Sequence, residues 1–104
     1  MTVIINTQEE LETLFYKDDD GNIIIADNLE INCDIDISVN IKAWDIKAKN
    51  IKAYNIDAYN IDVHNISYDT FCIASKSLKC KTIEGERKNS IHTCLDQPIK
   101  YIKW

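Results

Sequence analysis

The sequence predicts a mainly β protein: a small parallel β-helix built on a five-residue period, with four-faced coils, an N-terminal capping helix and a C-terminal β-hairpin cap. Three observations predict it. From residue 41 the chain reads IKAWD IKAKN IKAYN IDAYN IDVHN ISYDT FCI, so Ile41, Ile46, Ile51, Ile56, Ile61, Ile66 and Phe71 recur every five residues. A second register, two residues later, holds Ala43, Ala48, Ala53, Ala58, Val63, Tyr68 and Ile73. A third, just before each isoleucine, holds Asn40, Asp45, Asn50, Asn55, Asn60, Asn65 and Thr70.

A period of five matches neither the 3.6 of a helix nor the alternation of a long strand. If each unit is a short extended segment plus a corner, its Ile and Ala point the same way, because side chains alternate along a strand. Both then face inward. Asn or Asp suits the corner, since these residues tolerate turn conformations and hydrogen-bond neighbouring backbone. Four such faces close a coil of 20 residues, which stacks Lys42 over Asp62, Lys49 over Asp69, Ile41 over Ile61 and Ala43 over Val63. Exposed charge pairs contribute only about 0 to 1 kcal/mol each, so the apolar ladder must hold the tube together. After Phe71 the phase slips by two residues, and Leu78 with Cys80 and Ile83 with Gly85 resume it. Upstream, Ile31 with Cys33 and Ile35 with Ile37 are irregular versions of the same unit.

On these residues, from about 31 to 85, the chain resembles the pentapeptide-repeat family, whose units combine a small residue, Asp or Asn, a large aliphatic and two variable residues. The resemblance implies a right-handed quadrilateral β-helix. Here the small residue follows the aliphatic (Asn50, Ile51, Ala53), whereas the family places it before. The family's phase would turn Lys49 and Tyr54 inward, so Ile and Ala are taken as the inward pair. The whole chain, including its ending KCKTIEGERKNSIHTCLD, also resembles short phage and prophage proteins with the tandem N-I-x-A pattern. That likeness implies a phage origin and brings no activity with it.

At 104 residues the chain is one domain: a helix and strand cap over 1–30, the β-helix over 31–85 and a C-terminal cap over 86–104. Short solenoids need caps. Thr7 followed by Glu10 reads as a capping box, and Leu11, Leu14 and Phe15 form an apolar stripe, so Thr7 to Tyr16 is expected to be a helix over the first coil. Lys17 to Asn22 follows as a turn and Ile23 to Ala26 as a strand. Ile91 to Leu95 and Ile99 to Trp104 flank Asp96, Gln97 and Pro98 as a hairpin would, and an open edge there invites another chain.

Composition narrows the function classes. With 45% hydrophobic and 28% charged residues the chain is neither disordered nor membranous, and no basic-then-apolar leader is visible at its start, so a cytoplasmic location is expected, that of the host cell if phage-encoded. Two glycines and one proline leave no glycine-rich phosphate loop. Cys33, Cys72, Cys80 and Cys94 read as free, mostly buried thiols. Residues 1–40 hold ten acidic groups and one lysine, a net of -9, whereas 41–104 hold eleven basic and seven acidic groups, a net of +4. Such polarity can steer a partner or orient self-association, and it argues against direct nucleic-acid binding by the whole chain.

The outward position after each Ala holds Trp44, Lys49, Tyr54, Tyr59 and His64, with Trp44 stacked on His64 in a four-faced coil. Large outward aromatics suit an interface, and a homodimer is expected. Asp18, Asp19 and Asp20 lack the liganding spacing of a calcium loop, and His64 and His92 lack companions at zinc spacing, so no metal and no cofactor are expected. The segment EGERKNSIHTCLD breaks the repeat and gathers Arg87, Lys88, Ser90, His92 and Asp96; without oxyanion glycines it reads as a contact loop or cap rather than a hydrolase site. The reading is therefore a non-enzymatic, phage-encoded binding protein that inhibits a host defence or DNA-processing protein, in the manner of an anti-CRISPR or a DNA mimic. Its contact candidates are Asp18, Asp19, Asp20, Asp27, Trp44, Tyr54, Tyr59, His64, Arg87, Lys88 and His92. The alternatives are a self-assembling structural module of a phage, and sequestration of a small anion between protomers near Arg87 and His92.

Overall fold

The computed structural model describes residues 2–13, 22–25 and 27–102. In chain order they form β1 (Thr2–Ile5), α1 (Gln8–Glu12), β2 (Ile23–Ile24), β3 (Asn28–Ile31), β4 (Ile35–Asp36), β5 (Ile41–Lys42), β6 (Asp45–Cys80), β7 (Thr82–Gly85), β8 (Ile91–Cys94) and β9 (Lys100–Tyr101). β6 is one extended ribbon of 36 residues that winds around the axis. The other strands join it in parallel register, directly or through a neighbour, giving a parallel β-solenoid of about 4 turns.

The coil is shorter than the four-faced one expected. Ile41 lies beside Ile56 and Lys42 beside Asp57. Side-chain bonds from Asn55 to Asn40, Asn60 to Asp45 and Asn65 to Asn50 each span 15 residues. The regular coil therefore has three five-residue faces instead of four. A period of five defines one side and one corner of the polygon. The angle turned at the corner, which decides how many sides close it, has no signature in the spacing. The pairings that follow from a 20-residue coil are corrected accordingly: Ile41 meets Ile56 rather than Ile61, Ala43 meets Ala58 rather than Val63, and Asp69 pairs with Arg87 rather than standing over Lys49.

Ile and Ala are the inward pair, as expected. Face A turns inward Ile23 with Ile25, Ile41 with Ala43, Ile56 with Ala58 and Cys72 with Ala74. Face B contributes Leu29 with Ile31, Ile46 with Ala48, Ile61 with Val63 and Leu78 with Cys80. Face C contributes Ile35 with Ile37, Ile51 with Ala53 and Ile66 with Tyr68, followed by the half-buried Ile83 and Gly85. A fully buried aliphatic side chain contributes about 1.5–3 kcal/mol, so these columns dominate the stability.

Two placements differ in phase. Phe71 and Ile73, which the five-residue spacing turns inward, are only half-buried, and Cys72 and Ala74 fill the lumen instead. The corner at 69–71 holds one extra residue, and the corner before Leu78 another, so the two-residue slip is shared between two corners. Upstream, the inward pair is Leu29 with Ile31, and Cys33 sits half-buried past the corner. β1 was not foreseen: Val3 and Ile5 alternate over too few residues to signal a strand, yet β1 pairs with β3 along its whole length.

The corner residues bond to one another across coils. Beyond the three Asn links, Asn50 reaches Asp34 at 2.9 Å, Ser77 reaches Asn60 at 2.7 Å and Thr82 reaches Asn65 at 2.8 Å. Asn55, at 8% exposure the buried polar residue of the set, also accepts from the Phe71 backbone N–H at 3.0 Å. Each amide donates to one neighbour and accepts from the next, which satisfies the polar groups that a tight corner would otherwise strand.

α1 closes the N-terminal end. The Thr7 hydroxyl accepts from the Glu10 N–H at 3.2 Å, the N-cap bond the sequence predicts, and Leu11 is fully buried. Gln8 does more than start the helix. Its Nε2 donates to the Asp36 carbonyl at 2.9 Å and its Oε1 accepts from the Asp36 N–H at 2.8 Å, so one side chain stands in for a strand at the lower edge of face C. The expected helical residues Leu14, Phe15 and Tyr16, the turn up to Gly21, and Ala26 lie outside the described residues. At the other end the predicted strand–turn–strand is present, and each strand takes its ladder from β6, with His92 over Cys72 and Tyr101 over Cys80.

All four cysteines are free thiols. Burial pushes the Cys72 thiol up to about 12 and raises that of Cys80, as expected for core residues.

Candidate functional site

Three-sided closure redistributes the outward aromatics over three edges. On the edge between faces A and B, Trp44 is followed one coil later by Tyr59, whose N–H donates to the Trp44 carbonyl at 2.7 Å. Trp44 therefore neighbours Tyr59 and not His64. Both rings are about half exposed, at 52% and 49%. The Lys76 ammonium sits over the Tyr59 ring, 5.9 Å from its centroid, a cation–π contact. Leu95, 67% exposed, continues this edge, its N–H held by the Ala74 carbonyl. The edge borders an open recess of about 330 Å³ on face A, which Ile24, Lys42, Trp44, Asp57 and Tyr59 help to line.

Tyr54 lies on a different edge, between faces C and A. Arg87 reaches down this edge: its Nε donates to Asp69 at 2.5 Å and its terminal nitrogen to the Tyr54 hydroxyl at 3.2 Å. Lys52 and Glu86 add an ion pair at 3.1 Å. The segment after β7 is thus strapped along the edge by Arg87, two of whose nitrogens donate within the chain, while Lys88 is exposed. His64 is half-buried on the third edge, between faces B and C, where the Lys81 N–H bonds its carbonyl.

The Arg87 guanidinium, with help from the Thr70 hydroxyl, holds the Asp69 carboxyl below the ordinary carboxylate range, against a smaller opposing effect of burial. A carboxylate with a lowered folded pKa contributes stability that is full above its unfolded pKa of about 3.9 and is lost as pH falls through the folded value. Asp69→Asn is therefore expected to melt below wild type at neutral pH, with the gap closing as the pH is lowered through about 4 and below. Thermal melts across that range check this; a gap independent of pH would assign the loss to something other than the ion pair.

His92 belongs to the interior of the last coil. Its Nδ1 shares a 2.6 Å hydrogen bond with the Tyr68 hydroxyl, and the rings meet edge to face at 5.8 Å. Burial raises the Tyr68 phenol, with Ser90 opposing as a hydrogen-bond partner. The structure thus joins His92 to Tyr68 and separates it from Arg87, whose bonds run down the outer edge.

The acidic candidates concentrate at the N-terminal end. Glu9, Glu10 and Glu12 are exposed on α1, whose last turn has no basic residue, and Asp34 and Asp36 are exposed on the first complete coil, with Asp27 and Glu30 half-buried beside them. Of the acidic contact candidates, Asp18, Asp19 and Asp20 lie outside the described residues, and the α1 carboxylates are additional to those the sequence singles out. The signal for the latter was the absence of any basic residue between Thr7 and Thr13. Further along, charges alternate between coils: Glu30 beside Lys47, Asp36 beside Lys52 and Lys42 beside Asp57.

Among the described residues no cluster of His, Cys, Asp and Glu is placed to hold a metal ion, and no helix is long and apolar enough to cross a membrane. No family model, curated protein or solved structure matches the chain.

Proposed function

We propose that the chain is a non-catalytic binding protein that inhibits a basic, DNA-handling partner by presenting its acidic end. The observation that supports this most is the grouping of Glu9, Glu10, Glu12, Asp34 and Asp36 at one end of the tube, where α1 carries no basic residue, whereas the later coils set lysines among their carboxylates, as at Lys42 beside Asp57. A field concentrated at one end steers association with a basic surface, and a rigid carrier orders few groups on binding. The likeness to pentapeptide-repeat proteins, some of which are thought to mimic the shape and charge of DNA, agrees with this reading. So does the likeness to phage proteins, which suits an inhibitor of a host defence or DNA-processing enzyme.

The test has two stages. The tagged chain is used to capture proteins from nuclease-treated bacterial lysate, and a captured DNA-binding protein is then assayed for DNA binding in the presence of the chain. Competition with DNA is expected, and E9Q/E10Q/E12Q/D34N/D36N is expected to lose it by tenfold or more while keeping the fold by circular dichroism. Competition unchanged in that variant would sink the acidic-end reading.

A further inference from the structure

Face A differs from the other two in what it shows to solvent. Over its first four strands its outward mid-strand residues are Ile24, Lys42, Asp57 and Ile73, and Thr93 follows on the fifth, in the order set by the β2–β5, β5–β6 and β6–β8 registers. Trp44 and Tyr59 stand on its edge beside Lys42 and Asp57. Lys42 and Asp57 are neighbours on adjacent strands, yet neither forms an ion pair with any described residue. Face B, which shares the Trp44–Tyr59 edge, shows Glu30, Lys47, Asp62 and Lys79 instead, charged throughout and with no outward aliphatic residue among these four.

The order of the first four reads the same after reversal combined with exchange of charge. A two-fold axis parallel to the strands, passing between the strands of Ile41 and Ile56, inverts the coil order of a second copy while keeping positions along the strand. Lys42 then meets Asp57 of the second copy, Trp44 meets its Tyr59, and Ile24 meets its Ile73. Each contact occurs twice, as an isologous interface requires. The same operation runs the two solenoids antiparallel. The described residues up to 40, with seven carboxylates and no lysine or arginine, then lie alongside the partner's 41–102, which hold ten basic and seven acidic groups.

We propose that the protein forms a two-fold symmetric, antiparallel dimer through face A, closed by reciprocal Lys42–Asp57 pairs and flanked by Trp44–Tyr59 contacts. The matched part of the face spans four strands about 4.8 Å apart, each side about five residues long, or roughly 19 by 16 Å. Two such faces bury on the order of 600 Å² of flat area, at the weak and transient end of interface sizes, so the association is tested at high concentration. This inference goes beyond the acidic-end reading and does not depend on it.

The test is complementary charge reversal. Wild-type protein at about 100 μM is expected to give the dimer mass by light scattering, a concentration chosen for a minimal interface. K42D and D57K are each expected to be monomeric, because like charges then face each other across the axis. Mixing the two restores both ion pairs, so native mass spectrometry should show a 1:1 heterodimer; within-chain coupling cannot produce that result. K47D on face B, with the same change of charge, should remain dimeric. A monomeric wild type, dimers unaffected by the single reversals, or a mixture that stays monomeric would each overturn the proposal. None of these outcomes alters the DNA-competition result.

Discussion

Ile61→Ala is expected to destabilise the protein by about 2–5 kcal/mol, a large share of what a domain this small can have. Ile61 is 1% exposed and belongs to the column on face B that runs through Leu29, Ile46, Ile61 and Leu78. A three-sided tube is a single layer of side chains thick, and each coil is clamped above and below by backbone hydrogen bonds. The walls therefore cannot move in to fill the volume of the three lost carbons, and the cavity stays open. The control is Ile4→Ala, on β1 of the same face but outward and 52% exposed, which should change stability by no more than about 0.5 kcal/mol. Urea unfolding of both variants decides the matter, and similar losses in the two would contradict a core of fixed walls.

Gly85→Ala carries the second large effect. Gly85 stands over Tyr68 on face C, and a Cβ there would overlap Ser90 Oγ and Cβ and lie 2.9 Å from Tyr68 Cζ. Tyr68 occupies a column position that holds Ala53 one coil earlier, and the missing side chain at Gly85 is what leaves room for its ring and for the turn through Ser90. Overpacking of this kind costs about 1–3 kcal/mol. G85A/S90G removes two of the three contacts and is expected to recover most of the loss. A G85A protein that melts with wild type would show that the last coil is not packed as described.

Function was legible in the sequence only as a set of side-chain types. Trp44, Tyr54, Tyr59 and His64 follow Ala or Val in the repeat and were recognisable as outward residues from that alone. Which of them share an edge depends on the number of faces. With three, Trp44 and Tyr59 come together, Tyr54 joins Asp69 and Arg87, and His64 stands on a third edge. Arg87 and His92, five residues apart and grouped as one candidate loop, part company because β8 begins at Ile91: Arg87, before it, lies along the outer edge, and His92, within it, points into the lumen with Tyr68.

The sequence by itself determined that the chain is a parallel solenoid, that Ile and Ala line its interior, that Asn and Asp form its corners and that Thr7 starts a capping helix, because each of these is a local matter of side-chain alternation, turn chemistry or capping within a few residues. Only the tertiary structure decided that the coil closes after three faces, that Cys72 and Ala74 displace Phe71 and Ile73 from the lumen, and that Gln8 closes the edge at Asp36. Those outcomes depend on the angle turned at each corner and on contacts between residues 15 or more positions apart, and neither leaves a mark on the spacing of side chains along the chain.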